Sequence, residues 1–178
     1  LQQRSKEAFF DEVINDGVIE KCAAYAAREH GDARRALELL RVAGELAERK
    51  GETQVSENYI DTAEEKIERD RVLDIIETQP KQFKLTLYSI FSICNGGSQK
   101  IFTGDIYNIY QDACLKSHVK PLTQRRVSDI IGELDMLGII NAKVISKGRY
   151  GRTKEISLAI PSALSQKVDT MLKDSLSL

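Results

Sequence analysis

The residues with the clearest chemical signal lie in one short segment rich in cations. Positions 147–154 read KGRYGRTK, in which Lys147, Arg149, Arg152 and Lys154 carry positive charge and Tyr150 is aromatic. The whole chain has a formal net charge of −1, so this charge is a local concentration. Cations gathered at one place on a nearly neutral protein indicate contact with an anion, and the phosphate groups of nucleic acid fit best.

The same segment has the features of a tight β-hairpin tip. Gly148 and Gly151 stand on either side of two residues, and glycine readily adopts the positive φ that such a tip requires. The flanking segments 139–146 and 155–160 are predicted to be its strands. Arginine at a hairpin tip can enter a narrow minor groove, and Tyr150 can pack along a sugar or donate to phosphate. An ordinary solubilising turn is the alternative, but such a turn does not need this many cations.

The helix predicted just before this hairpin carries a second set of candidate contacts. Residues 123–137 show helical periodicity, with apolar side chains on one face and polar side chains on the other. In a helix-turn-helix, the N-terminal part of the second helix enters the major groove, where arginine can bind guanine and glutamine can bind adenine. A solvated face with ordinary surface arginines is the alternative. The polar residues at this end are Thr123, Gln124, Arg125, Arg126 and Ser128.

The remaining positions of this helix predict how it would lie on a duplex. Gly132 has no side chain, so the backbone there could approach DNA closely. Phosphate would repel Asp129, Glu133 and Asp135, so the C-terminal half is expected to tilt away. The face predicted to be buried holds Val127, Ile130, Ile131, Leu134 and Leu137.

The order of elements predicts a mainly α fold with a small β-hairpin. A helix, a strand, a basic tip and a second strand form the second half of a winged-helix domain, a variant of the helix-turn-helix. Upstream, Thr103 is placed to cap a helix over 104–117. Residues 1–70 read as short helices that predict an antiparallel four-helix bundle. The winged-helix domain is expected over 71–178, joined to the bundle by a continuous helix.

Composition excludes several classes of function. At 178 residues, 42% hydrophobic and 30% charged, the chain fits one large or two small globular domains. No segment approaches the roughly 20 apolar residues that span a membrane, and no signal peptide is evident, so no membrane partner is expected. The cysteines lack CxxC spacing and are predicted to be buried thiols in a reducing cytoplasm.

No arrangement of residues predicts catalysis or a metal site. His30 and His118 have no partners at metal-ligand spacing. The phosphate-binding pattern G-x-x-x-x-G-K-[ST] does not occur, and no nucleophile is paired with a base. We therefore expect no catalytic residue, no metal, no cofactor bound by this chain alone and no enzymatic activity from it.

A second pair of arginines begins a helix in the N-terminal half. Asp32 is placed to cap this helix, and Arg34 and Arg35 follow in its first turn. Cations at a helix N-terminus oppose the helix dipole, at a cost of a few tenths to about 1 kcal/mol. Arginines at such positions can serve an anion outside the bundle. A harmless surface pair is the alternative.

Two blocks of sequence resemble a known family. GDARRALELLRVAGELAE, from Gly31, resembles the sensor-two helix of an AAA-plus ATPase lid. PLTQRRVSDIIGELDMLGIINAKVISKGRYGRTKEI, from Pro121, resembles the recognition helix and wing of the same family. The family is that of the archaeal origin-recognition/cell-division-control DNA replication initiators, related to subunit one of the eukaryotic origin recognition complex. The resemblance covers essentially the whole chain.

The resemblance implies a division of roles. Residues 1–70 would be the lid, with Arg34 as the sensor arginine on the γ-phosphate side of the nucleotide. ATP or ADP with Mg²⁺ would be held by an ATPase core upstream of Leu1, since the phosphate loop is absent here. The recognition helix and wing would bind double-stranded origin DNA. In the intact protein, ATP-dependent helicase loading would make the replicative helicase and other initiator subunits partners, at the nucleoid in the cytoplasm.

Two other functions stay open on the sequence alone. The winged helix could be a protein-interaction module that binds DNA weakly, which an exposed apolar patch or a salt-insensitive partner would favour. The chain could also be a free-standing transcriptional regulator whose helical bundle dimerises or binds an effector. Self-association together with a palindromic site would favour that reading.

Overall fold

A computed structural model describes residues 1–10, 12–28, 31–95, 101–146, 148 and 152–178. These residues form eight helices and one three-stranded antiparallel sheet, so the predicted mainly α fold is confirmed. They separate into two compact units, Leu1–Arg71 and Val72–Leu178.

The first unit is helical. Apolar residues recur three and four positions apart in its third helix, and the buried Leu39, Leu40 and Ala43 result from this spacing. The fourth helix continues past Arg71. The segment predicted to join the bundle to the winged-helix domain as a continuous helix is therefore helical. The helices are α1 (Gln2–Ala8), α2 (Val18–Arg28), α3 (Ala33–Arg49) and α4 (Glu57–Glu77).

One face of α4 carries a row of carboxylates, the acidic stripe, which form hydrogen bonds and ion pairs with side chains of the other helices in this unit. Its carboxylates share one face because they are spaced three or four residues apart. From α2, Lys21 Nζ and the Tyr25 hydroxyl each donate to Asp61 over 2.8 Å. These two donors hold the pKa of Asp61 below its ordinary value, with Lys21 the larger cause. The acidic stripe consists of Glu57, Asp61, Glu64 and Glu68.

The second unit combines four helices with the sheet. Strand order in the sheet is β1-β3-β2, with all pairs antiparallel. The hairpin strands pair in a continuous register from Ile140 opposite Leu158 to Ser146 opposite Arg152. The elements are α5 (Lys81–Asn95), β1 (Ile101–Phe102), α6 (Thr103–Lys116), α7 (Gln124–Met136), β2 (Ile140–Ser146), β3 (Arg152–Leu158) and α8 (Ser162–Leu176).

Strand β1 has no counterpart among the predicted elements. It is only two residues long, so it shows no alternation that a sequence pattern can reveal. It pairs through Ile101 with Ile156 of β3 and gives the hairpin a third strand. Strand β3 also begins earlier than expected, at Arg152, so this basic residue lies within the strand.

Two expectations about individual side chains are wrong. Leu137 was expected in the core, but it is 40% exposed because α7 ends at Met136 and Leu137 is its C-cap residue. Thr103 was expected to cap α6, but it is the first helical residue and the N-cap position is held by Phe102. The rest of the predicted apolar face of α7, from Val127 to Leu134, is buried as expected.

The helix that precedes α7 ends without a glycine. After α6, His118 takes a left-handed conformation with φ +53°, and the N–H of Val119 donates to Cys114 O over 2.9 Å. After α7, Gly138 takes the same role with φ +71°. Left-handed backbone is strained for a residue with a Cβ, so the end of α6 stores strain that the end of α7 avoids.

The cysteines behave as structural thiols. Cys22 and Cys114 are buried, and Cys94 is half-buried. Burial raises the pKa of the Cys22 thiol to about 11, so it is a poor nucleophile at neutral pH.

Candidate nucleic-acid interface

The turn between α6 and α7 is fixed by two tyrosines of α6. Tyr110 Oη accepts from the N–H of Leu122 over 2.9 Å, and Tyr107 Oη donates to Leu122 O over 3.0 Å. Both backbone groups of this turn residue are therefore held by side chains. The start of α7 is positioned relative to α6 as a result.

Residues of α5 complete this network. Tyr110 donates its hydroxyl hydrogen to Gln82 Oε1, and Gln82 Nε2 donates to Lys120 O over 3.1 Å. Lys81 Nζ reaches Ser117 O at 3.3 Å. Burial raises the pKa of Tyr110 to about 12, so its hydroxyl stays neutral and remains a donor. The sequence analysis did not identify Tyr110 or its hydrogen bonds. The available signal was its hydroxyl, which needs a partner when buried.

The N-terminal end of α7 presents its polar residues to solvent. Thr123 Oγ1 accepts from the N–H of Arg126 over 3.4 Å and so caps the helix. The side chains of Gln124, Arg125 and Arg126 are exposed. The opposite face of α7 packs against the core and so fixes the position of this end. A helix must be held in this way if its exposed side chains are to bind a ligand.

The two arginines of this end differ in their surroundings. Arg126 Nη1 lies 3.4 Å from Glu133 Oε1 and 3.8 Å from Asp129 Oδ2, on its own helix. Arg125 makes no ion pair with any residue in the described part of the chain. Its charge is therefore the more available of the two for an anion.

Lys154 of β3 contacts α7. Its Nζ donates to Ser128 O over 3.0 Å. A Cβ added at Gly132 would lie 3.3 Å from the same Nζ. Gly132 was expected to let DNA approach the backbone, but the structure shows that the space beside it is taken by the Lys154 ammonium.

A cleft of about 680 Å³ brings the two predicted sets of contacts together. Helix α7 contributes Gln124, Arg125 and Ser128, and β3 contributes Arg152 and Lys154. Thr123 and Arg126 do not line the cleft. The remaining lining residues are Thr103, Gly104, Asp129, Val144 and Thr153.

Several predicted wing residues cannot be placed in this cleft. Lys147, Arg149, Tyr150 and Gly151 lie outside the described residues. Gly148 is described, and its φ of +61° agrees with the positive φ predicted for the hairpin tip. Its N–H donates to Ser146 Oγ over 3.3 Å.

In the first unit, Arg34 and Arg35 do not act as a pair. Asp32 caps α3 by accepting from the N–H of Arg34 over 2.8 Å, as predicted. The Arg34 side chain is exposed, whereas Arg35 Nη2 binds Glu64 and Glu68 of the acidic stripe, each at 2.8 Å. The expectation that both arginines serve an outside anion is therefore wrong for Arg35, because α4 supplies its partners.

The described residues show neither a metal centre nor a membrane helix. Within them, no cluster of three or more His, Cys, Asp or Glu side chains is arranged to hold a metal ion. None of their helices is long and apolar enough to cross a membrane.

The fold and the site define a winged-helix protein that carries an ATPase-type lid. Residues 74–168 match the family model of the CDC6 C terminal winged helix domain. Residues 1–65 match the model of the Cdc6 AAA+ ATPase-type lid domain. The chain belongs to the ORC1/Cdc6 family of DNA replication proteins, and the resemblance seen in the sequence is confirmed.

Individual relatives agree with this membership. The chain is 58% identical over 160 residues to the ORC1-type DNA replication protein of Pyrococcus horikoshii, covering 90% of this chain and 38% of that protein. It is 55% identical over 170 residues to ORC1-type DNA replication protein 1 of Methanosarcina mazei, covering 94% of this chain and 41% of that protein. The chain thus spans about two fifths of the length of these relatives.

A solved structure shows the same fold. The Aeropyrum pernix ORC1 protein in complex with DNA superposes with a TM-score of 0.83 at 45% sequence identity. The match covers 98% of this chain and 44% of that one.

Proposed function

We propose that this chain is the lid, residues 1–70, and the winged-helix domain, residues 71–178, of an archaeal replication initiator that binds double-stranded origin DNA. The observation that carries the proposal is the cleft. It places Gln124 and Arg125 of the recognition helix beside Arg152 and Lys154 of the wing. The DNA complex of the Aeropyrum relative supports it.

In this proposal the two elements contact different parts of the duplex. The N-terminal end of α7 enters the major groove, where Arg125 and Gln124 contact base edges, and Thr123, Arg126 and Ser128 lie near the backbone. The wing binds the adjacent minor groove and its phosphates through Arg152 and Lys154, together with Lys147, Arg149 and Tyr150. The carboxylates toward the end of α7 keep that half of the helix away from phosphate.

The lid has its own role in the intact protein under this proposal. Arg34 is exposed at the N-terminus of α3, and its guanidinium makes no hydrogen bond or ion pair with the described residues, so it fits a cation that faces nucleotide phosphate. The bound ATP or ADP with Mg²⁺ would supply the charge that Arg34 senses. Helicase loading, with the replicative helicase and other initiator subunits as partners, would take place on DNA in the cytoplasm.

Fluorescence anisotropy on an archaeal origin duplex and a scrambled duplex, at two salt concentrations, tests the DNA proposal. Preference for the origin with a steep salt dependence is the expected result, since released counterions make phosphate contacts salt-sensitive. Salt-sensitive binding without preference would mean that sequence readout needs more than this chain. Absence of binding at both salt concentrations would refute the proposal.

A second candidate function is supported by an exposed apolar patch. Met136 is 81% exposed and the neighbouring Leu137 is 40% exposed, at the end of α7 opposite to its DNA-facing end. Such a patch fits a protein partner such as the replicative helicase. Met136→Lys should then weaken helicase binding, measured by biolayer interferometry, and leave duplex affinity unchanged. Unchanged helicase binding would exclude this surface.

A further inference from the structure

We propose that Asp135 at the end of α7 closes the outer edge of β2 and so prevents this strand from pairing with β2 of a second copy of the chain. This role goes beyond the proposed function, because it concerns the association of the protein with itself and does not depend on DNA. A strand at the edge of a sheet offers unpaired N–H and C=O groups to any other strand, so folded proteins protect such edges.

Strand β2 is such an edge. In the sheet order β1-β3-β2 it has a neighbouring strand on one side only, among the residues that the structure describes. It is seven residues long, and its sequence INAKVIS contains three β-branched residues and a single charge, on Lys143. Residues of this kind favour strand pairing, so a further strand could add to β2 unless its edge is covered.

The direction of the backbone groups shows which of them face outward. Ile139 O accepts from the N–H of Ala159 over 3.0 Å, so the backbone groups of Ile139 point toward the side of β3. Successive residues of a strand point their N–H and C=O groups to opposite sides. The even-numbered residues of β2, with Ala142 and Val144 at the centre, therefore point theirs away from β3.

Asp135 occupies the outward-facing amide of Ala142. Its Oδ1 accepts from the N–H of Ala142 over 2.8 Å. The carboxylate therefore lies where the carbonyl oxygen of an added strand would have to lie, and two acceptors repel each other. Ile140, the preceding outward-facing residue, is buried. Of the outward-facing residues only Val144 and Ser146 remain, which is too short a stretch for a stable pair of strands.

The residues around Val144 fit an antiparallel pairing of two identical strands. If Val144 lies opposite Val144 of the second copy, Lys143 lies opposite Ile145, and no like charges face each other directly. The Val144 side chain, which is 59% exposed, would be covered in that pair. In this register the N–H of Ala142 faces the carbonyl of Ser146 in the second copy. Asp135 prevents that hydrogen bond.

Analytical ultracentrifugation of three variants tests this role of Asp135. Asp135→Ala removes the acceptor, makes the Ala142 N–H of both copies available to the pair and should tighten self-association by about tenfold or more. Asp135→Asn keeps an oxygen acceptor at the same place and should sediment as the unchanged chain does. The double variant Asp135→Ala/Val144→Lys would bring two lysines opposite each other, so it should also sediment as the unchanged chain does.

Hydrogen exchange of the Ala142 amide gives a second measurement, which needs no self-association. In dilute solution, where copies do not meet, this amide should exchange more slowly in the unchanged chain than in Asp135→Ala. Melting curves of the same variants establish that they fold. If the Ala142 amide of the unchanged chain exchanges as fast as the open amide of Val144, Asp135 does not close the edge.

Two further results would refute the proposal. One is an Asp135→Ala variant that associates no more than the unchanged chain, although its Ala142 amide exchanges faster. The other is increased self-association that survives Val144→Lys, since the copies would then meet at another surface. Neither result bears on DNA binding, which the anisotropy assay tests separately.

Discussion

Arg35 in the lid and Arg125 in the winged helix each lie in the first turn of a helix, but their surroundings differ. The Arg35 side chain is 11% exposed and binds two carboxylates of the acidic stripe. Arg125 is exposed at a cleft lined by two more cations. Arg35 is neutralised within the fold by these carboxylates, whereas Arg125 remains available to a ligand. The position of an arginine along its helix therefore does not decide its role, and the partner on the neighbouring element does.

The largest expected effect is a loss of stability when the ion pairs of Arg35 in the lid are removed. Arg35→Ala leaves Glu64 and Glu68 close together without their shared cation, so the free energy of unfolding should fall by about 2–3 kcal/mol. Urea denaturation followed by circular dichroism measures the change. Arg34→Ala, next to it and exposed, is the control and should change stability by less than about 0.5 kcal/mol. Equal losses in the two variants would contradict the role given to Arg35.

The second-largest expected effect is a loss of duplex affinity when Arg125 of the winged helix is removed. Arg125→Ala should lower duplex affinity by about 1–3 kcal/mol and relax base preference, with no loss of stability. Arg126→Ala is the matched control. Its effect should be smaller, because Arg126 is drawn toward carboxylates of its own helix. Competition binding with duplexes mutated at single base pairs measures both, and a larger loss for Arg126→Ala would reverse the assignment.

A third variant removes hydrogen bonds that position α7 and leaves the charges of the interface unchanged. Tyr110→Phe removes the acceptor of the Leu122 N–H and the donor to Gln82, so stability should fall by about 1–2 kcal/mol. Because the turn positions α7, duplex affinity should fall as well. Tyr107→Phe loses a single hydrogen bond and should have the smaller effect on both. Unfolding curves and anisotropy on the same preparations separate the two readouts.

The smallest effect is a pH dependence confined to the lid. The pKa of Asp61 is lowered by its hydrogen bonds to Lys21 and Tyr25. The ionised carboxylate therefore adds stability above its ordinary pKa of 3.8, and this contribution is lost as the pH falls through the lowered value. The difference in melting temperature between the unchanged chain and Asp61→Asn should shrink in acid. A difference in melting temperature that stays the same in acid would contradict this role of the Asp61 carboxylate.

Local patterns predicted the parts of this molecule that depend on neighbours in sequence. The recognition helix follows from its apolar spacing, and the tip glycine Gly148 follows from the need for positive φ. The contacts that give roles to charged residues are not local. Arg35 meets Glu64 and Glu68 across 29 and 33 residues, and Lys154 meets Ser128 across 26. No periodicity encodes such pairs, so Arg35 and Gly132 were misread.

The missed elements have the same physical origin. Strand β1 depends on its hydrogen bonds to β3, which lies far away in the sequence. Thr103 is not the N-cap residue of α6 because this helix begins one residue earlier than predicted. The hydrogen bonds of Tyr107 and Tyr110 to Leu122 also depend on how the chain turns after α6. In each case the residue type was visible in the sequence but its partner was not.

The hydrogen bond from Lys154 to Ser128 fixes the distance between the recognition helix and the base of the wing. Any duplex bound by both elements must then present its two grooves at the separation that the protein sets. A sequence whose grooves differ from this separation must bend or change its groove width, at an elastic cost that depends on its base steps. Base pairs that touch no side chain would therefore still contribute to which duplexes bind well.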